Sequence, residues 1–206
     1  MIITATEILA MEKRYRTTLI NSLPGYKCLQ IVGTASAGGV TNLALFNSVF
    51  HVGANPPLLG MVVRPQTPEH DTLNNIKATG CFTLNNVLPA WYRQAHQISA
   101  SYPSGFSEFE VTDLEPSFND GFSAPFVSQS TVKIALTLQQ VIDIEVNNTT
   151  IVIGQINHVI MDDSLISADG YIDHEKAGTI TVAGLDSYFT TQSLGRLPYA
   201  KSGLKL

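Results

Sequence analysis

The sequence predicts a mainly β protein with a few helices, organised as an antiparallel β-barrel. Segments 130–146 and 149–163 have strand-like patterns and are joined by the turn-forming pair Asn147-Asn148, which predicts a long hairpin. Shorter strand-like segments follow one another with tight turns between them, as in a meander. About six or seven strands that follow one another in this way favour a barrel carrying helices over a doubly wound parallel sheet.

The N-terminal segment, about 4–22, is predicted to be helical. Thr4 and Glu7 have the spacing of a capping box, so a helix begins near residue 5 and extends, continuous or broken, to about Ser22. A Pro-Gly pair stops it, and the apolar segment 26–35 that follows has the composition of a strand.

The central segments alternate between helix and strand. An acidic start, a helical period and a terminal Gly80 predict a helix over 71–80. The alternating segment 81–87 predicts a strand, and 89–99 predicts a helix with proline in its first turn.

The remaining segments have weaker patterns. Residues 101–130 are rich in Ser, Pro, Gly and Phe without a period, so we expect a long ordered loop, and such loops are usually functional. A short strand is expected near 179–184 and an irregular tail over about 187–206. A chain of 206 residues fits one domain, so we expect 1–206 to form a single unit.

Composition excludes some classes of function. With 44% apolar and 14% charged residues the chain can bury a real core, and a low charged fraction suggests an obligate oligomer. A net charge of -5 argues against nucleic-acid binding, and the basic residues form one local cluster, Lys13, Arg14 and Arg16. No apolar run approaches the roughly 18 residues of a membrane helix. The start of the chain becomes charged too early for a signal peptide, so we expect a cytoplasmic protein without a membrane partner. Cys28 and Cys81 lie in apolar segments and are expected to be buried free thiols.

No motif supplies a catalytic acid, base, nucleophile or metal site. Segment 33–39 is glycine-rich but lacks the spacing of a dinucleotide or P-loop fingerprint, and the five histidines are too dispersed for a zinc pattern. No serine sits in a nucleophile elbow. If the protein is an enzyme, a bound cofactor is expected to supply the difficult chemistry.

Segment 41–65, "TNLALFNSVFHVGANPPLLGMVVRP", combines strand-forming residues with polar ones. Asn42, Asn47, Ser48 and Asn55 interrupt apolar runs, and Arg64 stands near the end. Buried polar groups are costly unless they are paired. These side chains therefore satisfy the chain's own backbone or bind a ligand.

The segment "NLALFNSVFHVGANPPLLGMVVRP", followed by "DTLNNIKATGCFTLNNV", resembles the flavin reductase-like family. The resemblance continues through 94–110, 124–134 and 169–188, and so covers most of the chain from about Tyr15. It implies the antiparallel Greek-key split β-barrel that binds FMN, a homodimer with FMN at the subunit interface, and electron transfer from NAD(P)H through the flavin.

Nine residues are candidates for contacting FMN. Small side chains on a barrel strand would let the flat ring approach, asparagines could bond ribityl hydroxyls, and a guanidinium with a helix start would suit a phosphate. Asp71 is the awkward member, because its carboxylate repels phosphate, so we expect it to cap the helix or hold Arg64. The Asn55-Pro56-Pro57 turn is expected to shape the pocket. The candidates are Asn42, Ala44, Asn47, Ser48, Val49, Arg64, Asp71, Thr72 and Asn75.

Each candidate also has a structural alternative. The asparagines could close turns or bulges, or be solvated in the case of Asn75. Ser48 could bond a neighbouring carbonyl, and Arg64 could form a salt bridge at a strand end. Trp91 and Tyr92 are expected in the core rather than in a lid.

The expected function is hydride transfer from NAD(P)H to FMN, with no catalytic residue named, since stacking and orientation suffice. Electrons would then pass to an acceptor protein, or the flavin would serve a monooxygenase. Two alternatives remain: a non-enzymatic FMN-binding electron carrier or flavin store, and a barrel that binds another small apolar ligand. In the dimer, the loop 101–130 could lend Tyr102, Phe106 and Phe109 to the neighbouring site, or it could pack on its own barrel.

Overall fold

A seven-stranded antiparallel sheet forms the body of the protein in a computed structural model that describes residues 1–65 and 71–202. The helices are α1 Ala5–Ala10, α2 Lys13–Ser22, α3 Asp71–Thr79 and α4 Tyr92–Gln97. The strands are β1 Lys27–Cys28, β2 Gln30–Ala35, β3 Thr41–Phe46, β4 Val49–Ala54, β5 Pro57–Val63, β6 Cys81–Asn86, β7 Pro116–Asn119, β8 Phe122–Val127, β9 Val132–Ile144, β10 Thr149–Met161, β11 Thr181–Ala183 and β12 Ser187–Phe189.

The strand order of the main sheet is β3-β2-β6-β9-β10-β5-β4, and every pair in it is antiparallel. The predicted hairpin of β9 and β10 is confirmed, and Asn148 in its turn has the left-handed φ of 56° that such turns use. The ladder shifts register at Gly154 and before His158, which bends the two long strands. β3 and β4 stand at the two ends of the order, so both present an outer backbone edge.

Two apolar clusters pack on opposite faces of the sheet. Ile31 belongs to one and its neighbour Val32 to the other, as the alternation of a strand requires. All six residues of β6 are buried, because both faces of this central strand are covered. Trp91 lies in the first cluster with Tyr92 packed against it, so the prediction of core positions for both is confirmed.

The predicted start signal of the first helix and the predicted stop signal of α3 are both confirmed. The Thr4 hydroxyl accepts from Glu7 N at 3.3 Å, and the Glu7 carboxylate accepts from Thr4 N at 2.7 Å, which completes the capping box. The N-terminal helical segment is broken at Met11 and Glu12 into α1 and α2. At the end of α3, Gly80 takes a φ of 72° and its N–H donates to the Ile76 carbonyl at 2.9 Å. Within the described residues no helix is long and apolar enough to cross a membrane.

The prediction of a long ordered loop over 101–130 needs correction, because part of this segment forms regular secondary structure. Residues Glu108–Val111 form a 3-10 helix, and β7 and β8 form a hairpin. β8 crosses β2 so closely that a Cβ on Gly33 would collide with the Pro125 carbonyl oxygen. Prolines at 116 and 125 and the turn at Gly121 hid the hairpin pattern, because proline within a strand removes a ladder donor and usually indicates no strand.

Two smaller predictions also need correction. The tail begins with β12, which pairs with β11 beside β1, and residues 203–206 of the predicted tail lie outside the described part. Cys28 is exposed, since β1 is a two-residue strand at a sheet edge, whereas Cys81 is buried; both are free thiols.

Candidate functional site

A cavity of about 520 Å³ opens beside β3, within the size range of small-molecule and cofactor sites. Five parts of the chain enclose it: β3 with the turn into β4, the end of β5, the start of α3, the segment from His96 to Glu108, and the segment around Leu185. Its walls therefore come from segments that are far apart in the sequence, and the fold brings them together.

The outer edge of β3 forms one wall. Leu43 N donates to Glu108 Oε2 at 2.7 Å, so this N–H points away from β2. Alternate residues of an antiparallel edge strand point both backbone groups outward. Leu45 thus presents its N–H and C=O on the same outer edge, next to the small side chain of Ala44, and all three residues line the cavity.

A buried polar cluster ties β3 to α3 beneath the cavity. Asn42 Nδ2 donates to Thr34 Oγ1 at 3.0 Å and to Thr72 Oγ1 at 3.1 Å. Asn75 Nδ2 donates to the same Thr34 hydroxyl at 3.2 Å. All four side chains are buried, and Asn42 and Thr72 also line the cavity. The cluster fixes the start of α3 against the wall strand.

The turn between β3 and β4 is held by its own polar side chains. Asn47 Nδ2 donates to the Gly184 carbonyl at 2.9 Å, and Ser48 Oγ donates to the Val62 carbonyl at 2.8 Å. Both residues line the cavity while serving the fold, so the structural alternative for Ser48 is present in the structure. The Asn55-Pro56 turn is found between β4 and β5, away from the cavity lining.

Arg64 and Asp71 both line the cavity, but they do not pair with each other. Arg64 follows β5, is exposed, and forms no ion pair within residues 1–65 and 71–202. Within these residues the Asp71 carboxylate does not form the expected contact with Arg64. Its two carboxylate oxygens accept from Ser104 Oγ at 2.6 Å and from Gly105 N at 2.7 Å. Asp71 therefore fastens the 101–106 loop, because its side chain reaches that loop instead.

The 101–106 loop packs on its own barrel. The rings of Tyr102 and Phe106 stack with centroids 5.1 Å apart and line the chain's own cavity. Phe109 packs against the first apolar cluster. All three aromatic side chains therefore have contacts within their own chain.

Glu108 is a buried carboxyl at the cavity wall, with 8% of its surface exposed. Burial raises the pKa of Glu108 above its ordinary value of 4.5, the backbone N–H of Leu43 opposes this rise, and the Asp71 carboxylate adds to it. Its sequence context gave no helix or strand pattern, so only its acidic character within a Ser- and Phe-rich segment could have drawn attention to it.

His96 and Tyr188 form a pair at the opposite side. His96 Nδ1 and Tyr188 Oη are 2.6 Å apart, and His96 lines the cavity. Burial raises the pKa of the Tyr188 hydroxyl, and the Asp186 carboxylate raises it further, so the phenol stays protonated. The tautomer of His96 decides which of the two groups donates in this bond. The sequence could not pair them, because 92 positions separate them.

Seven of the nine candidates line the cavity. Val49 lies in β4 and packs against the second apolar cluster. Asn75 belongs to the buried polar cluster and is one turn of α3 below the lining. The lining residues that the sequence did not single out come mainly from the segments 98–108 and 182–186.

Comparison with known proteins gives a consistent set of matches. A family model described as "Flavin reductase like domain" matches residues 28–178. A crystal structure from Shewanella frigidimarina NCIMB 400, described as a candidate flavin reductase with a split barrel domain, is 44% identical. It superposes with a TM-score of 0.93 over 97% of this chain and 100% of that chain.

Two further matches are more distant. Nitrilotriacetate monooxygenase component B from Bacillus cereus shares the fold at 20% identity, with a TM-score of 0.83 over 96% of this chain and 98% of that chain. An uncharacterised protein of Halalkalibacterium halodurans is 28% identical over 197 residues, which are 91% of this chain and 93% of the relative. The predicted split-barrel fold is confirmed by the Shewanella structure.

Replacing Asp71 with alanine should loosen the 101–106 loop. The variant loses two bonds to a carboxylate at a partly exposed site, so we expect a loss of about 1 kcal/mol in unfolding free energy and faster proteolytic cleavage within the loop. Urea denaturation and limited proteolysis measure both. Asp120→Ala, in the turn between β7 and β8, is the control. Equal cleavage rates in Asp71→Ala and wild type would show that the carboxylate does not hold the loop.

Replacing Glu108 with glutamine should change how stability depends on pH. Because the folded-state pKa of Glu108 is raised, the wild type keeps its full stability below the ordinary value of 4.5 and loses part of it as pH rises through the folded-state pKa. Glutamine keeps an acceptor for Leu43 N and has no charge to bury. The unfolding free energy of the variant should therefore rise relative to that of wild type as pH increases, as measured by urea titrations. Glu110→Gln, two residues away and exposed, controls for the lost charge. An unfolding free energy of Glu108→Gln that falls relative to that of wild type as pH rises would contradict the assignment.

Proposed function

The chain belongs to the flavin reductase-like family, and from this premise we propose that it binds FMN in the cavity beside β3 and transfers a hydride from NAD(P)H to it. The observation that carries the proposal is the composition of that cavity. An exposed backbone edge, hydroxyl groups and a guanidinium without an ion pair among residues 1–65 and 71–202 converge on one space of cofactor size.

The wall at β3 fits the edge of a flavin ring. The outward N–H and C=O of Leu45 offer one donor and one acceptor, and Ala44 is small enough for a flat ring to approach. Leu43 N already donates to Glu108, so the backbone groups of Leu45, and not the N–H of Leu43, would bind the ring.

The asparagines fit the ribityl chain as acceptors. Asn42 uses both Nδ2 hydrogens within the protein, and Asn47 uses one, so the carbonyl oxygens of their amides are the groups left for hydroxyl donors. Their internal bonds hold them in place before any ligand arrives, which lowers the entropy cost of binding.

Arg64 and Thr72 fit a phosphate. A guanidinium gives forked, charge-assisted bonds to phosphate oxygens, and the Thr72 hydroxyl accepts from Asn42 and can donate its own hydrogen. Asp71 lies next to this place, but both of its oxygens accept bonds from the 101–106 loop. These bonds hold the carboxylate toward the loop.

When bound, FMN would supply hydride acceptance from the nicotinamide of NAD(P)H. The chain's own contribution is to orient the ring on β3, bind the phosphate and limit water access with the stacked pair Tyr102 and Phe106. No acid or base from the chain is required for this transfer, which is consistent with the absence of a catalytic motif in the sequence.

A titration with FMN and FAD, followed by NADH and NADPH oxidation, tests the proposal. We expect a yellow complex with preference for FMN, since Arg64 and Thr72 offer a place for a single phosphate, and steady-state oxidation of at least one nicotinamide. Binding of FMN without oxidation would leave an electron carrier or flavin store. A protein that binds neither flavin would contradict the assignment of the cavity.

The Arg64→Ala variant should bind FMN about ten- to a hundredfold more weakly and remain folded. The change removes charge-assisted bonds of about 1.5–3 kcal/mol from an exposed side chain, so the core is unaffected. Fluorescence titration of FMN gives the affinity and circular dichroism the fold. Arg93→Ala, which removes an equal charge from α4 outside the cavity lining, is the matched control. Unchanged FMN affinity in Arg64→Ala would make Arg64 structural.

A further inference from the structure

A second, smaller cavity adjoins the one beside β3. It is a groove of about 400 Å³ between the first two turns of α2 and the segment at Leu185 and Asp186. The same two residues also line the larger cavity, so the groove and the cavity meet across them. A molecule too long for the cavity can therefore extend past these two residues into the groove.

The wall that α2 contributes is fixed to the barrel. Near the end of this helix, the Asn21 carbonyl accepts from Lys27 Nζ at 2.9 Å. A Cβ on Gly184 would lie 3.9 Å from Ser22 Cβ, so the helix end lies beside the residue that precedes the opposite wall. The Gly184 carbonyl is itself held by Asn47 Nδ2 at 2.9 Å. Both walls of the groove are therefore tied to the same part of the fold.

The basic cluster noted in the sequence divides into one structural residue and two others. Arg16 Nη1 donates to the Leu9 carbonyl at 2.9 Å and to the Met11 carbonyl at 3.3 Å, so Arg16 joins α2 to the end of α1. Lys13 and Arg14 line the groove, are exposed, and form no ion pair within the described part of the chain. The fold therefore accounts for Arg16 but not for the other two cations.

The two cations share one helix face with two hydroxyls. Side chains four positions apart on a helix are neighbours. The groove is lined by two such pairs, Lys13 with Thr17 and Arg14 with Thr18. The Thr17 hydroxyl donates to the Lys13 carbonyl at 2.8 Å, which leaves Thr18 as the hydroxyl donor. An ammonium, a guanidinium and a hydroxyl together form a donor set that suits a phosphate.

The groove also contains two carboxylates, Glu12 and Asp186. Neither pairs with the cations among the residues that the structure describes. Glu12 caps α2 by accepting from Tyr15 N at 2.9 Å. Asp186 lies at the border with the larger cavity, where a carboxylate can accept a ribose hydroxyl. The positive side chains thus face the groove without a partner that would neutralise them.

We propose, on the basis of the hydride transfer proposed above, that this groove binds the 2′-phosphate of NADPH and makes NADPH the preferred donor. The nicotinamide has to reach FMN in the cavity, so the adenosine half of the dinucleotide extends into the adjoining groove. A phosphate monoester carries a charge of about −1.5 to −2 at pH 7, and NADH has a hydroxyl in its place. Lys13 and Arg14 supply the matching charge, with Arg14 as the forked donor.

Calorimetric titration of the full-length protein with adenosine 2′,5′-bisphosphate and with adenosine 5′-phosphate tests the groove directly. Neither compound requires bound FMN or hydride transfer. We expect wild type to bind the bisphosphate about tenfold or more tightly than the monophosphate, because the added phosphate gains charge-assisted bonds. In the double variant Lys13→Ala/Arg14→Ala this preference should disappear. Lys77→Ala/Arg93→Ala, which removes the same two charges from exposed positions of α3 and α4 outside the groove, should keep it.

Steady-state oxidation of the two nicotinamides gives a second readout. In Lys13→Ala/Arg14→Ala, KM for NADPH should rise about tenfold or more, while KM for NADH and the affinity for FMN stay near their wild-type values. Both side chains are exposed, so circular dichroism should show a folded variant.

The outcomes separate the groove from the cavity. Equal affinity of wild type for the two adenosine phosphates, or a lower KM for NADH than for NADPH, would overturn the proposal. A double variant that loses the same factor with both compounds would also overturn it, because the cations would then contact a phosphate that NADH shares. An equal loss in Lys77→Ala/Arg93→Ala would point to bulk charge and contradict it too. A preference that depends on Lys13 and Arg14 in a protein that binds no FMN would support the groove and contradict only the assignment of the cavity.

Discussion

The outer edge of β3 is the constraint on which the site depends. β3 ends the strand order of the main sheet, so its outward N–H and C=O groups have no neighbouring strand in the described part of the chain. Backbone groups held away from water must find partners. The 3-10 helix Glu108–Val111 supplies part of the answer through the Glu108 carboxylate, and the Thr41 and Ser107 hydroxyls bond at 2.7 Å. The groups that remain face the cavity, which is why a ligand with donors and acceptors along one edge suits this wall.

The polar residues of segment 41–65 serve the protein before they serve a ligand. Asn42 and Asn47 commit amide hydrogens to Thr34, Thr72 and Gly184, and Ser48 commits its hydroxyl to Val62. The two alternatives drawn from the sequence are therefore compatible. An amide that donates inward keeps an acceptor oxygen, so the same side chain can hold the fold and present one polar atom to the cavity.

Local patterns predicted the parts of the fold that depend on neighbouring residues. The β9–β10 hairpin, the capping box at Thr4 and the stop at Gly80 need only short-range spacing, and all three are confirmed. The β7–β8 hairpin and the pairing of His96 with Tyr188 depend on distant contacts, which one sequence does not reveal. The same division holds in the site: the residues of segment 41–65 have a recognisable order, whereas Glu108 reaches the cavity through tertiary packing.

The charges around the cavity explain how a phosphate could be held beside several carboxylates. Asp71, Glu108 and Asp186 all line it, against the cation of Arg64. Asp71 accepts two bonds from the 101–106 loop, which hold its side chain in place. Burial favours the neutral form of Glu108, so this residue contributes less to the negative field than a fully charged carboxylate would. Arg64 is the only lysine or arginine that lines the cavity among residues 1–65 and 71–202, and the carboxyl groups of Asp71 and Glu108 act mainly by fixing the loop and the strand edge.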